Sequence, residues 1–181
     1  MLKKFVATIG KFSHTTRSPK NKIFMMLFGA INLLVVIPFV FFQIGCSLEE
    51  YIFVNWLRPL EIVTATLSVI WGLFSLIWSV TIQIHIGKGT PVPLAPTQNL
   101  IITGPYKLCR NPIHFGTIIY YLGVGTLVGS LTIGIMSFLL GLILFSFYNK
   151  FVEEKELLLR FGKEYGAYKR NTPFLIPKLW R

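Results

Sequence analysis

IHFGTIIYYLGVGTLVGSLTIGIMSFLLGLILFSFY, residues Ile113–Tyr148, runs without a single Asp, Glu, Lys or Arg. Its one break falls at Gly129-Ser130, which divides it into two apolar segments of about 17 residues, the lower limit for crossing a hydrocarbon core. Two other runs of spanning length precede it, Ile23–Phe42 and Ile62–Ile84. The fold class read from this pattern is all-α and integral to a membrane. About four transmembrane helices are expected, with a cytoplasmic loop and a C-terminal helix forming the site, in a single membrane domain over residues 1–181.

Composition agrees. The chain of 181 residues is 53% hydrophobic, with a mean hydropathy of +0.62. A net charge of +11 raises the question of nucleic acid, but its distribution answers against it. Residues 1–22, 44–61, 85–112 and 149–181 carry +6, −2, +3 and +4. Basic segments alternating with a non-basic one follow the positive-inside rule for an even number of spans with both termini cytoplasmic. The charge therefore signals topology, and it also favours anionic headgroups over nucleic acid.

The segments between the spans carry the detail. Residues 1–22 set Phe5, Ile9 and Phe12 at helical spacing among lysines, an interfacial anchor, and their polar start reads as no secretory signal. Pro38 sits near the outer end of the first span, where neighbours can satisfy the carbonyl it frees. Gly123-Val124-Gly125 lies mid-span with no strand before it, so with Gly129 it reads as close helix contact rather than a phosphate loop. Cys46 and Cys109 fall on opposite sides of the membrane, which excludes a disulfide, and three scattered His with two Cys give no metal spacing. Cys109 beside Arg110 reads as an ordinary thiol or as one with lowered pKa. His85 and Trp180 read as interfacial residues.

Ionisable residues gather in two patches flanking the uncharged hairpin. The first follows a turn-rich loop, His85–Thr103 with Gly87, Gly89, Pro91, Pro93 and Pro96, and runs Gly104-Pro-Tyr-Lys-Leu-Cys-Arg-Asn-Pro-Ile-His114. The second is Glu153-Glu154-Lys155-Glu156. A helix with one apolar stripe, Leu157, Phe161, Tyr165 and Tyr168, is expected to follow and to end at Pro173 and Pro177. Charge gathered at a membrane face points to a partner or ligand there.

In their order, Gly87-Lys-Gly-Thr-Pro-Val-Pro93, Thr103-Gly-Pro-Tyr106, Arg110-Asn-Pro112, Glu153-Glu154 and Phe161-Gly162 with Tyr165 and Tyr168 resemble a known superfamily. It is that of the integral-membrane methyltransferases, which includes isoprenylcysteine carboxyl methyltransferase and the phospholipid methyltransferases. The resemblance spans residues 85–177 and implies a core there for S-adenosyl-L-methionine. Carried over by position, the cofactor contacts are Gln98, Asn99, Leu100, Ile101, Tyr106, Asn111, Pro112, Ile113, His114 and Glu153. Arg110 is expected to meet the cofactor carboxylate, and His114 or Glu154 to act as base. The function implied is methyl transfer to a lipophilic or membrane-associated small molecule or lipid.

Two departures narrow this. Asn111 and His114 stand where many relatives have His after the arginine and Tyr beyond the proline. Asn149 replaces an arginine that meets the substrate carboxylate in the isoprenylcysteine enzymes, which speaks against a prenylated-protein acceptor. Two alternatives stay open: an NADPH-dependent membrane reductase of the sterol-reductase type, which shares a Gly-x-Tyr…Arg-x-Pro segment, and a non-enzymatic membrane scaffold.

Overall fold

The computed structural model describes residues 19–52, 54, 56–92 and 96–178. The basic anchor expected over residues 1–22 lies almost wholly outside these residues, as does Trp180. The described residues contain helices and no strand. They form α1 (Pro19–Ile31), a π turn (Asn32–Val36), α2 (Ile37–Glu49), α3 (Arg58–His85), α4 (Pro105–Leu108), α5 (Pro112–Val128), α6 (Leu131–Tyr148), a second π turn (Asn149–Glu153) and α7 (Glu154–Asn171).

Three helical stretches are long and apolar enough to cross a membrane: Ile23–Glu49, Arg58–His85 and Leu131–Asn171. Pro112–Val128 is a further apolar helix, at the short end of spanning length. Leu131–Asn171 is 41 residues long, about 60 Å of helix and roughly twice a bilayer core. Lipid can take only its uncharged part, so Lys150 and the residues after it lie beyond the span. The chain is an integral membrane protein.

The chain packs as two compact units. The apolar unit holds residues 30–76 and 113–145; the polar unit holds the rest, including 77–112 and 146–181. In the apolar unit the π turn before Pro38 has a direct cause. Pro38 has no N–H to give Leu34, and the Ile37 N–H bonds instead to Asn32 O, five residues back. The carbonyls so released find phenols: Tyr121 Oη donates to Leu33 O at 2.8 Å and Tyr120 Oη to Leu34 O at 3.2 Å. Neighbouring side chains thus restore the bonds, as the position of Pro38 within a span requires.

Small residues let backbones meet. A Cβ on Gly72 would lie 2.6 Å from Tyr120 N, and one on Gly123 would lie 2.7 Å from Val69 N. Gly125 faces Gly134 and Ser137, so this glycine series serves helix contact, as its mid-span position implied. The α5–α6 turn is clamped. Ser130 Oγ donates to the Glu49 carboxylate and accepts from Ile133 N–H at 3.2 Å, while Glu61 Oε1 accepts from Leu131 N–H at 3.1 Å. Trp56 Nε1 donates to Thr132 Oγ1 at 2.8 Å. Carboxylates at a helix start satisfy its free N–H groups and suit its dipole.

Candidate functional site

In the polar unit, the Gly/Pro-rich loop is fastened to the end of α3. Gly87 O accepts from Gln98 N–H at 2.6 Å and Asn99 N–H at 3.3 Å, and Asn99 Nδ2 donates to Ile86 O at 3.1 Å. The first carbonyls beyond the helix are thus satisfied from about a dozen residues downstream, while Ile82 O and Gln83 O at its end accept from Ile86, Gly87 and Gly89 N–H. Gly104 then starts α4 at φ +58°, ψ −132°, a backbone conformation open to glycine alone, with Pro105 at the first helical position. This turn sets Tyr106 into the interior, where it is buried with Ile101 and Cys109.

The second half of the unit closes over the first. Arg110 N–H donates to Pro173 O at 2.9 Å, Asn111 Nδ2 to Phe174 O at 2.7 Å, and Lys178 N–H to Leu108 O at 3.0 Å. Tyr168 Oη donates to Tyr106 O at 2.6 Å, and Arg160 reaches Thr97 O while pairing with Glu156 at 2.7 Å. The expected stripe helix is interrupted: Gly162 takes φ +49°, so Leu157 and Tyr165 lie on either side of a kink. The physical reason is Gly162 itself, which tolerates the left-handed region at no steric cost.

Glu154 is the electrostatic centre. It is buried, pairs with Arg110 through one oxygen, and accepts from Lys169 Nζ at 2.5 Å through the other. Arg110 also lies over the Phe174 ring, 5.4 Å from its centroid. Glu153 differs from its neighbour. Half-buried in the π turn, its carboxyl is pushed up to about 7, first by burial and then by the charges of Glu156 and Glu154. Its charge in turn helps raise the Tyr106 phenol, whose main perturbation is burial. Asn149 opens the same π turn, is fully buried, and has neither amide end hydrogen-bonded; Gln83 Oε1 is likewise buried without a partner. A π turn in a long helix is a recurrent mark of functional sites.

The sequence-derived candidates therefore divide. Gln98, Asn99, Leu100, Ile101, Tyr106, Arg110, Asn111, Pro112, Glu153 and Glu154 belong to the polar unit. Ile113 and His114 belong to the apolar unit, where His114 stacks on Phe145 with centroids 4.5 Å apart. Gln98 and Asn99 are exposed, and Asn111 spends its amide donor on the C-terminal tail. Cys109 is fully buried and its thiol is pushed up to about 11, burial outweighing the backbone hydrogen bond from Asn111 that lowers it. Lys169, Arg160 and the tail 173–178 carry no individual site role in the sequence reading, and Glu156 enters it only as a member of the ionisable patch 153–156. Many of their contacts join residues far apart in the chain and leave no local pattern. Among the described residues no three His, Cys, Asp or Glu side chains group as a metal site.

A family model described as phospholipid methyltransferase matches residues 60–164, more than half of the chain. The chain belongs to the phospholipid methyltransferase family. The matched segment takes in most of α3, the Gly/Pro loop, α4 to α6 and both glutamates of the second π-turn region. Among curated relatives, the nickel-cobalt-cadmium resistance protein NccN of Alcaligenes xylosoxydans xylosoxydans is 32% identical over 84 residues, 46% of this chain and 38% of that protein. The cobalt-zinc-cadmium resistance protein CzcN of Cupriavidus metallidurans is 29% identical over 83 residues, 45% of this chain and 37% of its own. The chain thus spans under two-fifths of the length of these relatives. No solved structure matches it.

Proposed function

We propose that this protein transfers the methyl group of S-adenosyl-L-methionine to a lipophilic small molecule or lipid, with the cofactor held in the polar unit. The observation that carries the reading is the pair of consecutive glutamates with opposite parts. Glu154 is locked between Arg110 and Lys169, while Glu153 holds a carboxyl poised to ionise near neutral pH. Family membership supports it.

The residues present suit the cofactor. Its ammonium and hydroxyl groups call for an acceptor such as Glu153, and the unpaired amide of Asn149 and Gln83 Oε1 offer polar atoms not already spent. Tyr106 and Ile101 supply buried aromatic and apolar surface for a purine. When bound, the cofactor supplies a methyl group already activated by its sulfonium. Arg110, Glu154 and Lys169 act as positioning residues, fixing the α4 segment against α7 and the tail. Glu153 holds or releases a proton at its carboxyl, which serves an acceptor that arrives protonated, such as an amine or thiol. Buried Tyr106 and Val152 exclude water. The basic 85–112 and 149–181 segments set this unit on the cytoplasmic side, with both termini cytoplasmic, and the acceptor enters from the bilayer.

Equilibrium binding of S-adenosyl-L-methionine to the detergent-purified protein tests the reading, with NADPH measured beside it. Saturable binding of the former, weakened at least about tenfold in Glu153→Gln through loss of a charge-assisted contact, is expected. Binding of NADPH alone would move the chain to the reductases. Binding of neither by folded protein would leave a scaffold.

A further inference from the structure

Where the last span ends, two lysines surround one aromatic ring. Lys150 Nζ lies 5.9 Å and Lys155 Nζ 5.4 Å from the centroid of Phe151, and Phe151 contacts Phe147 with ring centroids 4.7 Å apart. The residues sit at i and i+5 across the π turn, the spacing that a π turn's own i to i+5 bonding brings onto one side of a helix. Both lysines are exposed. Both cations share this one exposed ring, and a cation over an exposed ring gains little.

Two of the nearby carboxylates are already engaged. Glu154 is taken by Arg110 and Lys169, and Glu156 by Arg160. Neither Lys150 nor Lys155 forms an ion pair with another described residue. The lysines are set among exposed apolar side chains: Phe147 and Phe151 before Lys155, Leu158 and Leu159 after it. In water that combination would be unfavourable. At the edge of a bilayer it matches an amphiphile with an anionic head and an acyl chain.

We infer that Lys150 and Lys155, with Phe147 and Phe151, form a binding site for an anionic lipid. The headgroup phosphate meets the two ammonium groups, and the chain lies along Phe151 and Phe147 towards the hydrocarbon. A soluble phosphate would use the lysines but have no use for the apolar rim, which is why the site is assigned to lipid. It is independent of the methyltransferase reading, since none of its residues has been placed at the cofactor.

Native mass spectrometry of the full chain, in a non-ionic detergent with titrated phosphatidylglycerol, tests this. Retained phosphatidylglycerol is expected, with binding about tenfold weaker in a Lys150→Gln/Lys155→Gln double variant, given roughly fivefold per surface lysine at most. A Lys163→Gln/Lys178→Gln variant, altering exposed lysines of the same unit, should bind as the parent does. An unchanged thermal midpoint without lipid shows that the first variant is folded. Equal binding of phosphatidylglycerol by the Lys150/Lys155 variant would overturn the site, as would equally tight retention of phosphatidylcholine. Displacement of the lipid by equimolar inorganic phosphate would reassign the lysines to a soluble anion.

Discussion

The two units of this protein treat polar groups in opposite ways. In the apolar unit polar atoms are few and most are spent on backbone. Tyr120 and Tyr121 replace bonds that Pro38 breaks, Glu49 and Glu61 cap the start of α6, and Thr117 and Thr126 bond back to carbonyls four residues earlier. Among the described residues of this unit, Ser137 Oγ is buried without a hydrogen-bond partner. In the polar unit carboxylates and cations are crowded and partly buried, and Asn149 keeps both amide ends unpaired. Leaving a buried polar group unsatisfied costs about 1–3 kcal/mol. One unit therefore uses its polar side chains to hold helices together; the other retains groups with capacity left over, as a ligand site does.

That contrast can be broken by experiment. Arg110→Ala should have the largest effect, about 3–5 kcal/mol, because it strands Glu154 in a buried site with Lys169 as its remaining cation. Hydrogen exchange should rise in residues 77–112 and 146–178 while 30–76 and 113–145 stay protected. Uniform exposure of the whole chain would show that the units do not behave separately. Gly72→Ala is the counterpart in the apolar unit. The added methyl meets the backbone of Tyr120 and Gly116, and overpacking of this kind costs about 1–3 kcal/mol. Its exchange pattern should be the reverse of that for Arg110→Ala.

Titration sharpens the same contrast. Glu153 has a folded pKa near 7, above its ordinary value of 4.5, so the fold favours its protonated form. The stability it contributes is fully present below about pH 4.5 and is lost as pH rises through 7. Thermal midpoints in detergent should fall over that interval, and Glu153→Gln should flatten most of the slope. Glu156, also raised by burial, leaves a residue of the same sign. Cofactor affinity should run the other way, rising through pH 7 as the carboxylate forms. The smallest effect concerns the thiols. A maleimide at neutral pH should label half-buried Cys46 and spare Cys109 until the protein is denatured, because Cys109 is buried and its thiol is raised to about 11. Rapid labelling of native Cys109 would show the Tyr106–Asn111 segment to be open.

Much of the fold was legible because membrane helices obey a local rule. Apolar length, the break at Gly129-Ser130 and the stop at Pro173 each depend on a few adjacent residues, and the helices Arg58–His85 and Leu131–Tyr148 follow the runs closely. The site was legible in part. Tyr106, Arg110, Glu153 and Glu154 stand as polar groups beside an uncharged hairpin, and the resemblance to the methyltransferase superfamily made them site candidates. Their division of labour was not legible, since two adjacent glutamates are chemically alike until tertiary neighbours separate them.

The chain by itself determined an all-helical membrane protein with ionisable residues gathered on either side of one hairpin, because the cost of burying charge and unpaired backbone in lipid acts residue by residue. Only the tertiary structure decided which carboxyl is locked and which is poised. It also decided that Asn111 ties down the tail and that Cys109 is shielded. Those outcomes depend on Lys169, Phe174 and burial brought together from distant parts of the sequence, and electrostatic energies follow distance and desolvation rather than order along the chain.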